Sequence, residues 1–350
     1  MNTRNTTKNV AVGNISIGGK NEILIQSMCS IKTSKYEEVA AQINRCAALG
    51  ADLMRVSVLD MEDAYAIREI KKRISIPLIA DIHIDYKLAL ASIESGVDAV
   101  RINPGNIGSN ENVKAVVDAC KEHNVPIRIG VNSGSLDKSI YFGKEKIKAQ
   151  WLVESAAKHV KILEDLGFYN IVISLKGSDA IETIEAYKLA AETFPYPLHL
   201  GITEAGPKDI SLIRSSAGLS PLLLAGIGDT IRISMTEDPE EEIKAASRLL
   251  HDLGLKPDYP TFISCPTCGR TQVNLLPLAK KIQQCVEDKH INKTIAIMGC
   301  IVNGPGEARH ADLGAAGGKG VWVIFKKGEV IRNVTDDEVY DALVEEIKLL

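Results

Sequence analysis

Aromatic residues are scarce. Phe, Trp and Tyr make up 5% of the 350 residues, so any core must be built from Ile, Leu, Val and Ala. No run of residues approaches the ~18 apolar positions of a membrane-spanning helix. The opening Met1-Asn-Thr-Arg-Asn-Thr-Thr-Lys-Asn9 has no apolar stretch of signal-peptide length. The expected place is therefore the cytoplasm, with no membrane partner. Neither sign of charge dominates: 41 Lys and Arg face 45 Asp and Glu, a net charge of −4. That gives no support for a nucleic-acid surface, so an anion site must be a local cationic focus in a mildly acidic chain. Seven cysteines, an odd number, exclude a fully paired disulfide framework and are expected to stay reduced.

Residues 1–20 read as a short hairpin, with Val10-Ala-Val-Gly followed by Ile15-Ser-Ile-Gly-Gly. A regular beat follows. Apolar strands are predicted at Ile23–Met28, Leu53–Val58, Leu78–Ile84, Ala99–Asn103, Ile127–Asn132, Ile171–Lys176, Leu198–Thr203 and Thr230–Ser234. Most are continuous apolar runs, as parallel strands covered on both faces should be. Between them lie one-sided helices. In 35–49 the apolar stripe is Val39, Ile43, Cys46 and Ala47; in 110–123 it is Val113, Val116, Val117 and Cys120. Asp238 and Pro239 open another helix, as cap and first-turn proline. Eight such repeats predict an α/β fold, a (β/α)8 TIM-type barrel over 1–255. An open doubly wound sheet is the alternative, but no G-x-G-x-x-G turn follows the first strand. After a linker at Lys256-Pro-Asp-Tyr-Pro260, residues 256–350 read as a smaller α+β domain. Its predicted strands are 261–264, 294–298, 321–325 and 330–334, its helix 272–289, and Thr335-x-x-Glu338 is a capping box for a last helix.

Active sites of such barrels lie at the C-terminal ends of the strands. Arg55, Arg101 and Arg128 sit inside apolar strands and Lys176 ends one. Isolated cations there are costly unless they meet an anion. Together they point to a phosphorylated, diphosphate-like ligand, because arginine forks match phosphate oxygens; the plainer reading is four structural ion pairs. Asp81-Ile-His83 has metal-ligand chemistry without a complementary set on other strands, so a polar substrate contact is preferred. Thr203, Glu204 and Ser234 end strands seven and eight; Glu204 is a candidate acid/base, or a counter-charge.

The second domain carries Cys265-Pro-Thr-Cys268-Gly-Arg, then Met298-Gly-Cys300-Ile-Val-Asn-Gly-Pro-Gly-Glu307. Three thiols imply zinc lacking a ligand or an iron–sulfur cube with one iron left over. Cys285, Cys46 and Cys120 read as core, and Cys29 as near the barrel mouth. Glu307 is the candidate fourth ligand, a weaker and more exchangeable one than thiolate; alternatively it is a surface carboxylate.

Gln26-Ser-Met, Arg55-Val-Ser-Val, Ala80-Asp-Ile-His, Arg101-Ile-Asn-Pro-Gly-Asn, Arg128-Ile-Gly-Val-Asn-Ser-Gly-Ser-Leu136, Ser174-Leu-Lys, Gly201-Ile-Thr-Glu-Ala-Gly206 and Gly226-Ile-Gly-Asp-Thr-Ile-Arg-Ile-Ser234 occur in order before the two cysteine motifs. End to end, the chain resembles the 4-hydroxy-3-methylbut-2-enyl diphosphate synthase family in its compact two-domain bacterial form. The resemblance implies an iron–sulfur oxidoreductase of isoprene biosynthesis. Its reaction is the reductive ring opening and dehydroxylation of 2-C-methyl-D-erythritol 2,4-cyclodiphosphate. It implies a [4Fe–4S] cluster on Cys265, Cys268, Cys300 and Glu307, in a domain similar to those of sulfite and nitrite reductases. By motif it carries substrate contacts to Arg55, Arg101, Arg128, Asn132, Lys176, Glu204 and Ser234. It further implies flavodoxin or ferredoxin as electron donor and a homodimer. The family continues Thr-Asn-Thr after Gln26-Ser-Met, where this chain has Cys29-Ser-Ile. Two other expectations stand beside it: a phosphate-binding barrel transferase or lyase with a structural zinc domain, and a non-enzymatic iron–sulfur carrier or redox sensor.

Overall fold

The computed structural model describes residues 3–132, 148–300 and 308–350. The chain divides into two compact units, Met1–Leu255 and Lys256–Leu350. No helix among the described residues is long and apolar enough to cross a membrane.

The first unit opens with an antiparallel hairpin of β1 (Val10–Val12) and β2 (Ile15–Ile17). Eight parallel strands follow: β3 (Leu24–Met28), β4 (Leu53–Ser57), β5 (Leu78–Asp81), β6 (Ala99–Ile102), β7 (Ile127–Asn132), β8 (Ile171–Lys176), β9 (His199–Leu200) and β10 (Thr230–Ile231). They pair in the order β8-β7-β6-β5-β4-β3-β10-β9. A parallel bridge from Ile173 to Leu198 joins the two ends and closes the ring. Helices follow the strands around the outside, among them Tyr36–Ala48, Asn110–His123 and Pro239–Asp252. The continuous apolar runs are explained by this arrangement: β5, β6 and β8 are buried at every position, one face on the barrel axis and one on helices.

Three strands fall more than one residue short of their sequence patterns, while β3, β4 and β6 each lose a single end residue. The run at 78–84 ends at Asp81, because Asp85 is taken up as a helix cap, accepting from the Lys87 N–H at 2.9 Å. The runs at 198–203 and 230–234 shrink to His199–Leu200 and Thr230–Ile231, although single backbone bonds (Thr203 N to Gly177 O, Arg232 N to Leu200 O) continue the barrel upward. Asp238 does precede the helix at Pro239, but its side chain makes no capping hydrogen bond.

The hairpin plugs the N-terminal end of the barrel. Val10, Val12 and Ile17 pack against Leu53, Ile79, Ala99 and Val172, with Leu24 alongside. Full burial of such a side chain contributes roughly 1.5–3 kcal/mol. Side chains in a strand alternate with period two. Two residues on from Leu24, Leu53, Ile79 and Ala99 stand Gln26, Arg55, Asp81 and Arg101, so the same inward face turns polar toward the C-terminal mouth.

The second unit is a five-stranded sheet in the order β11 (Thr261–Ser264), β12 (Thr294–Met298), β13 (Leu313–Gly317), β14 (Val321–Lys326), β15 (Glu329–Thr335). The first three strands are parallel and the last two antiparallel. Helices Leu275–Asp288 and Val339–Ile347 pack on one face through Ile282, Val286, Leu343 and Ile347 against Ile295, Ile297, Leu313 and Trp322. β13, Leu-Gly-Ala-Ala-Gly, is absent from the sequence reading, since glycine and alanine carry no strand signal. Its small residues are a packing requirement: a Cβ at Gly314 would stand 2.4 Å from the Phe325 ring, and one at Gly317 2.3 Å from Val273. The helix predicted from 272 starts at Leu275, because Gln272 N–H is spent on Gly299 O. The last helix starts at Val339, after Glu338 accepts from Thr335 N and Oγ1 at 3.0 and 2.9 Å.

Candidate functional site

The inward polar positions of the barrel form one connected layer. Asp81 lies at its centre, 3% exposed. Its two oxygens meet different arginines, Arg55 Nε at 3.3 Å and Arg101 Nη1 at 3.1 Å. Arg101 also donates to Gly130 O at 3.1 Å. It can lie over β7 only because residue 130 lacks a side chain: a Cβ there would stand 2.2 Å from Arg101 Nε. Arg55 turns the rest of its fork to the Met28 thioether, Nη2 to Sδ 2.9 Å. Arg128 donates to Gln26 Oε1 at 2.5 Å, while its Nε and Nη2 are buried without a partner. Lys176 ends β8, 7% exposed.

Arg232 and Glu242 complete the layer. Arg232 Nε and Nη2 grip the two Glu242 oxygens, each at 3.0 Å. Glu242 also accepts from Ser27 Oγ at 2.5 Å and Met235 N at 3.1 Å, and is 3% exposed. Among the described residues, five cations (Arg55, Arg101, Arg128, Lys176, Arg232) thus line a layer that holds two carboxylates, Asp81 paired with Arg55 and Arg101 and Glu242 paired with Arg232. The cavity between plug and polar layer, beside Gln26, Arg128 and Thr230, measures about 10 Å³, room for one water at most. An anion that meets these cations enters from the mouth.

The electrostatics record the imbalance. Burial pushes Asp81 up, but Arg55, Arg101 and Arg128 outweigh it and hold its pKa at about 2. Burial lowers Arg55 to about 10, with Asp81 opposing. Burial and then the Arg55 guanidinium push Arg128 well down, with Asp81 only partly offsetting them; arginine starts so high that it keeps its proton. His199 is wholly buried, its Nδ1 2.7 Å from Thr230 Oγ1 and its Nε2 without a partner. Burial, then Arg128 and Lys176, drive its pKa well down, so the ring is neutral.

Of the residues expected at the mouth, His83 is largely exposed, its Nε2 3.9 Å from Asp81. Thr203 and Glu204 lie in a loop beyond β9. Glu204 is exposed and has φ +54°, a left-handed backbone unusual for a side-chain-bearing residue. Arg214 Nη1 holds the loop through Glu204 O and Ala205 O, both at 3.2 Å. Ser234 O accepts from Ser211 Oγ at 2.7 Å. The Asn132 side chain and Glu307 lie outside the described residues. Arg232 escaped the sequence reading although its signal, a lone cation in an apolar strand, is that of Arg55 and Arg128. Glu242 carried none, because Glu240-Glu-Glu242 reads as an ordinary acidic first turn.

In the second unit, Cys265 follows β11 and Gly299-Cys300 follows β12. These strands are adjacent and parallel, with Ser264 opposite Ile297, so both cysteine-bearing loops leave from the same sheet edge. Gly299 N donates to Cys265 Sγ at 3.1 Å. The Arg270 backbone and side chain lower the Cys268 thiol below its usual pKa. All three thiols are free. Thiolate character and N–H···S donation fit the thiol set of an iron–sulfur cluster. Among the described residues no three His, Cys, Asp or Glu side chains form a metal-holding group. Cys46 and Cys120 are fully buried, and Cys29, just past β3, is buried with its thiol pushed up to about 12 by burial. Cys285, expected in the core, is instead half-buried and lines a groove with Lys281 and Tyr340; the helix carrying it turns that flank outward.

Asp81→Asn leaves Arg55 and Arg101 buried without a counter-charge, so urea unfolding should show a loss of about 3–5 kcal/mol, partly restored by inorganic diphosphate. Because Asp81 ionises at a lower pH in the fold than the usual 3.8, the stability it contributes is whole above pH ~4 and is lost as pH falls toward 2. A wild-type-like stability of Asp81→Asn at pH 7 would show that the pair carries none of it.

Comparison with known proteins gives the same division of the chain. The GcpE TIM-barrel domain matches residues 7–247 and the GcpE protein C-terminal domain residues 261–349. The chain is 51% identical over 347 residues to the 4-hydroxy-3-methylbut-2-en-1-yl diphosphate synthase (flavodoxin) of Clostridium perfringens, covering 99% of each chain. It is 51% identical over 344 residues to the enzyme of that name from an Exiguobacterium species, covering 98% of this chain and 92% of the relative. Among solved structures, dihydropteroate synthases from Coxiella burnetii and Vibrio fischeri align with TM-scores of 0.52 and 0.51 at 11% and 14% identity, each over 71% of this chain and 99% and 100% of theirs; at that distance the likeness is one of fold. By match over nearly its whole length, the chain belongs to the 4-hydroxy-3-methylbut-2-en-1-yl diphosphate synthase family.

Proposed function

We propose that the chain catalyses the reductive ring opening and dehydroxylation of 2-C-methyl-D-erythritol 2,4-cyclodiphosphate to 4-hydroxy-3-methylbut-2-enyl diphosphate, in the methylerythritol phosphate route to isoprenoids. The observation that carries the reading is the surplus of barrel cations among the described residues: Arg55, Arg101, Arg128, Lys176 and Arg232 against Asp81 and Glu242. A substrate diphosphate supplies the missing negative charge. Arg128 Nε and Nη2 are donors in waiting, and Asp81 and Glu242 hold the neighbouring forks in place before substrate arrives. Asn132, His83, Thr203 and Ser234 complete the proposed lining.

In this reading the first unit binds substrate and the second holds the cofactor. A [4Fe–4S] cluster on Cys265, Cys268, Cys300 and Glu307 would supply electrons one at a time. Flavodoxin, which the relatives' enzyme names carry, is the proposed donor in preference to ferredoxin. The proposed setting is a cytoplasmic homodimer in which one subunit's cluster unit serves its partner's barrel. Glu204 is the proposed proton donor. Its left-handed backbone is held by Arg214, and strain of that kind is characteristic of functional loops.

Three measurements test these assignments. Anaerobically purified protein should contain about four iron and four sulfide per chain and turn over the cyclodiphosphate with reduced flavodoxin; one zinc without sulfide would sink the reading. Glu204→Gln should lower kcat by about 10²–10⁴ with cluster content and substrate affinity kept; unchanged turnover removes Glu204 from the reaction. Mixing a Cys300→Ser chain with an Arg128→Ala chain should restore part of the activity if sites are completed across subunits, and none if each chain works alone.

A further inference from the structure

Both carboxylates of the polar layer are already engaged. Asp81 is shared by Arg55 and Arg101, and Glu242 holds Arg232 by two contacts. Lys176 has neither. It stands at the C-terminal end of β8, 7% exposed, and no carboxylate among the described residues pairs with it. Charged and titratable groups face it from every neighbouring element. They are Arg55 on β4, Asp81 on β5, Arg101 on β6, Arg128 on β7, His199 on β9, Arg232 beyond β10, and Glu242 on the helix Pro239–Asp252. Glu182, on the helix after β8, lies beside Gly177 and is held by Lys148 at 2.9 Å. Across the barrel wall is Gly201, where a Cβ would stand 3.4 Å from Lys176 Cε and Nζ. The amine therefore stands beside Gly201, in a desolvated layer whose two carboxylates among the described residues are already paired with Arg55, Arg101 and Arg232. Burial, then Arg55, Arg232, Arg128 and Arg101, act on it in the same direction and push its pKa well below the usual lysine range.

An ammonium in this position is disfavoured until an anion arrives. Arginine cannot respond by losing its proton, and lysine can. We propose that Lys176 stands as a neutral amine in the substrate-free barrel and takes up one proton from solvent as the diphosphate enters, so that binding and protonation are one linked event. The inference rests on the diphosphate reading above and goes beyond it by making Lys176 the adjustable member of the cation set. The balance is that of an amine and a solvent proton giving an ammonium, with no bond made to the substrate. The added charge has a use after ring opening. A cyclic diphosphate carries one ionisable oxygen on each phosphorus, and the opened monoester carries one more, which the Lys176 ammonium is in place to offset.

The test is isothermal titration of the full-length holoenzyme with the cyclodiphosphate at pH 8, in Tris and in HEPES, whose ionisation enthalpies differ. At that pH both substrate phosphates are ionised and bring no titrating group. The wild-type heats should report about one proton taken up per site, and affinity should weaken up to about tenfold per pH unit above the linked pKa. Lys176→Arg, permanently charged, and Lys176→Met, never charged, should both take up close to none. Wild-type binding without proton uptake overturns the proposal and leaves the function standing. So does undiminished uptake in either variant, which would hand the proton to another group such as His199. Absence of any wild-type binding overturns the diphosphate reading itself.

Discussion

Like charges held together out of water repel strongly. Two cations 4 Å apart at an effective dielectric of 20 disfavour each other by about 4 kcal/mol. This barrel gathers the guanidinium groups of Arg55, Arg101, Arg128 and Arg232, with Lys176 beside them, around two carboxylates among the described residues, Asp81 and Glu242. Much of the first unit serves to hold that arrangement. The hairpin plug seals the far end with Val10, Val12 and Ile17, so the cations face one opening. Gly130 clears the space in which Arg101 lies. Glu242 reaches in from an outer helix and ties Arg232, Ser27 and Met235 N into one piece. The folded state keeps a site that is under-neutralised when empty, and the apolar packing around it supplies the stability that such a site consumes.

The second unit solves a different problem, bringing cysteines far apart in sequence to one place. Parallel pairing of β11 and β12 does so by topology: whatever follows the last residue of each strand emerges at the same edge. The all-small strand β13 allows close approach of its neighbours, with the Phe325 ring over Gly314. Gly299 N donates to Cys265 Sγ, and the Arg270 backbone and side chain lower the Cys268 thiol below its usual pKa.

Legibility followed the strength of the local signal. Continuous apolar runs at 127–132 and 171–176 mark strands with the bounds observed, because burial on both faces leaves no ambiguity of period. Runs at 198–203 and 230–234 overstate theirs, because apolar residues continue into a mouth where the backbone serves loops rather than ladders. β13 was invisible because its residues are chosen for size. Lone cations inside apolar strands were readable as a set, and the same signal at Arg232 stood in plain view. Glu242 was not readable, since three glutamates open its helix and only packing decides which one points inward.

The sequence by itself determined the repeating α/β architecture, the break near residue 255, the cysteine motifs and the set of lone cations inside apolar strands. Each is a statement about residue type and spacing along the chain, which local chemistry dictates. Tertiary structure alone decided which cations share Asp81, which one is held by Glu242, and that Lys176 has no carboxylate partner among the described residues. Those outcomes depend on strand order and register around a closed ring, where residues some 150 positions apart, such as Arg232 and Asp81, come to share one small volume of low dielectric.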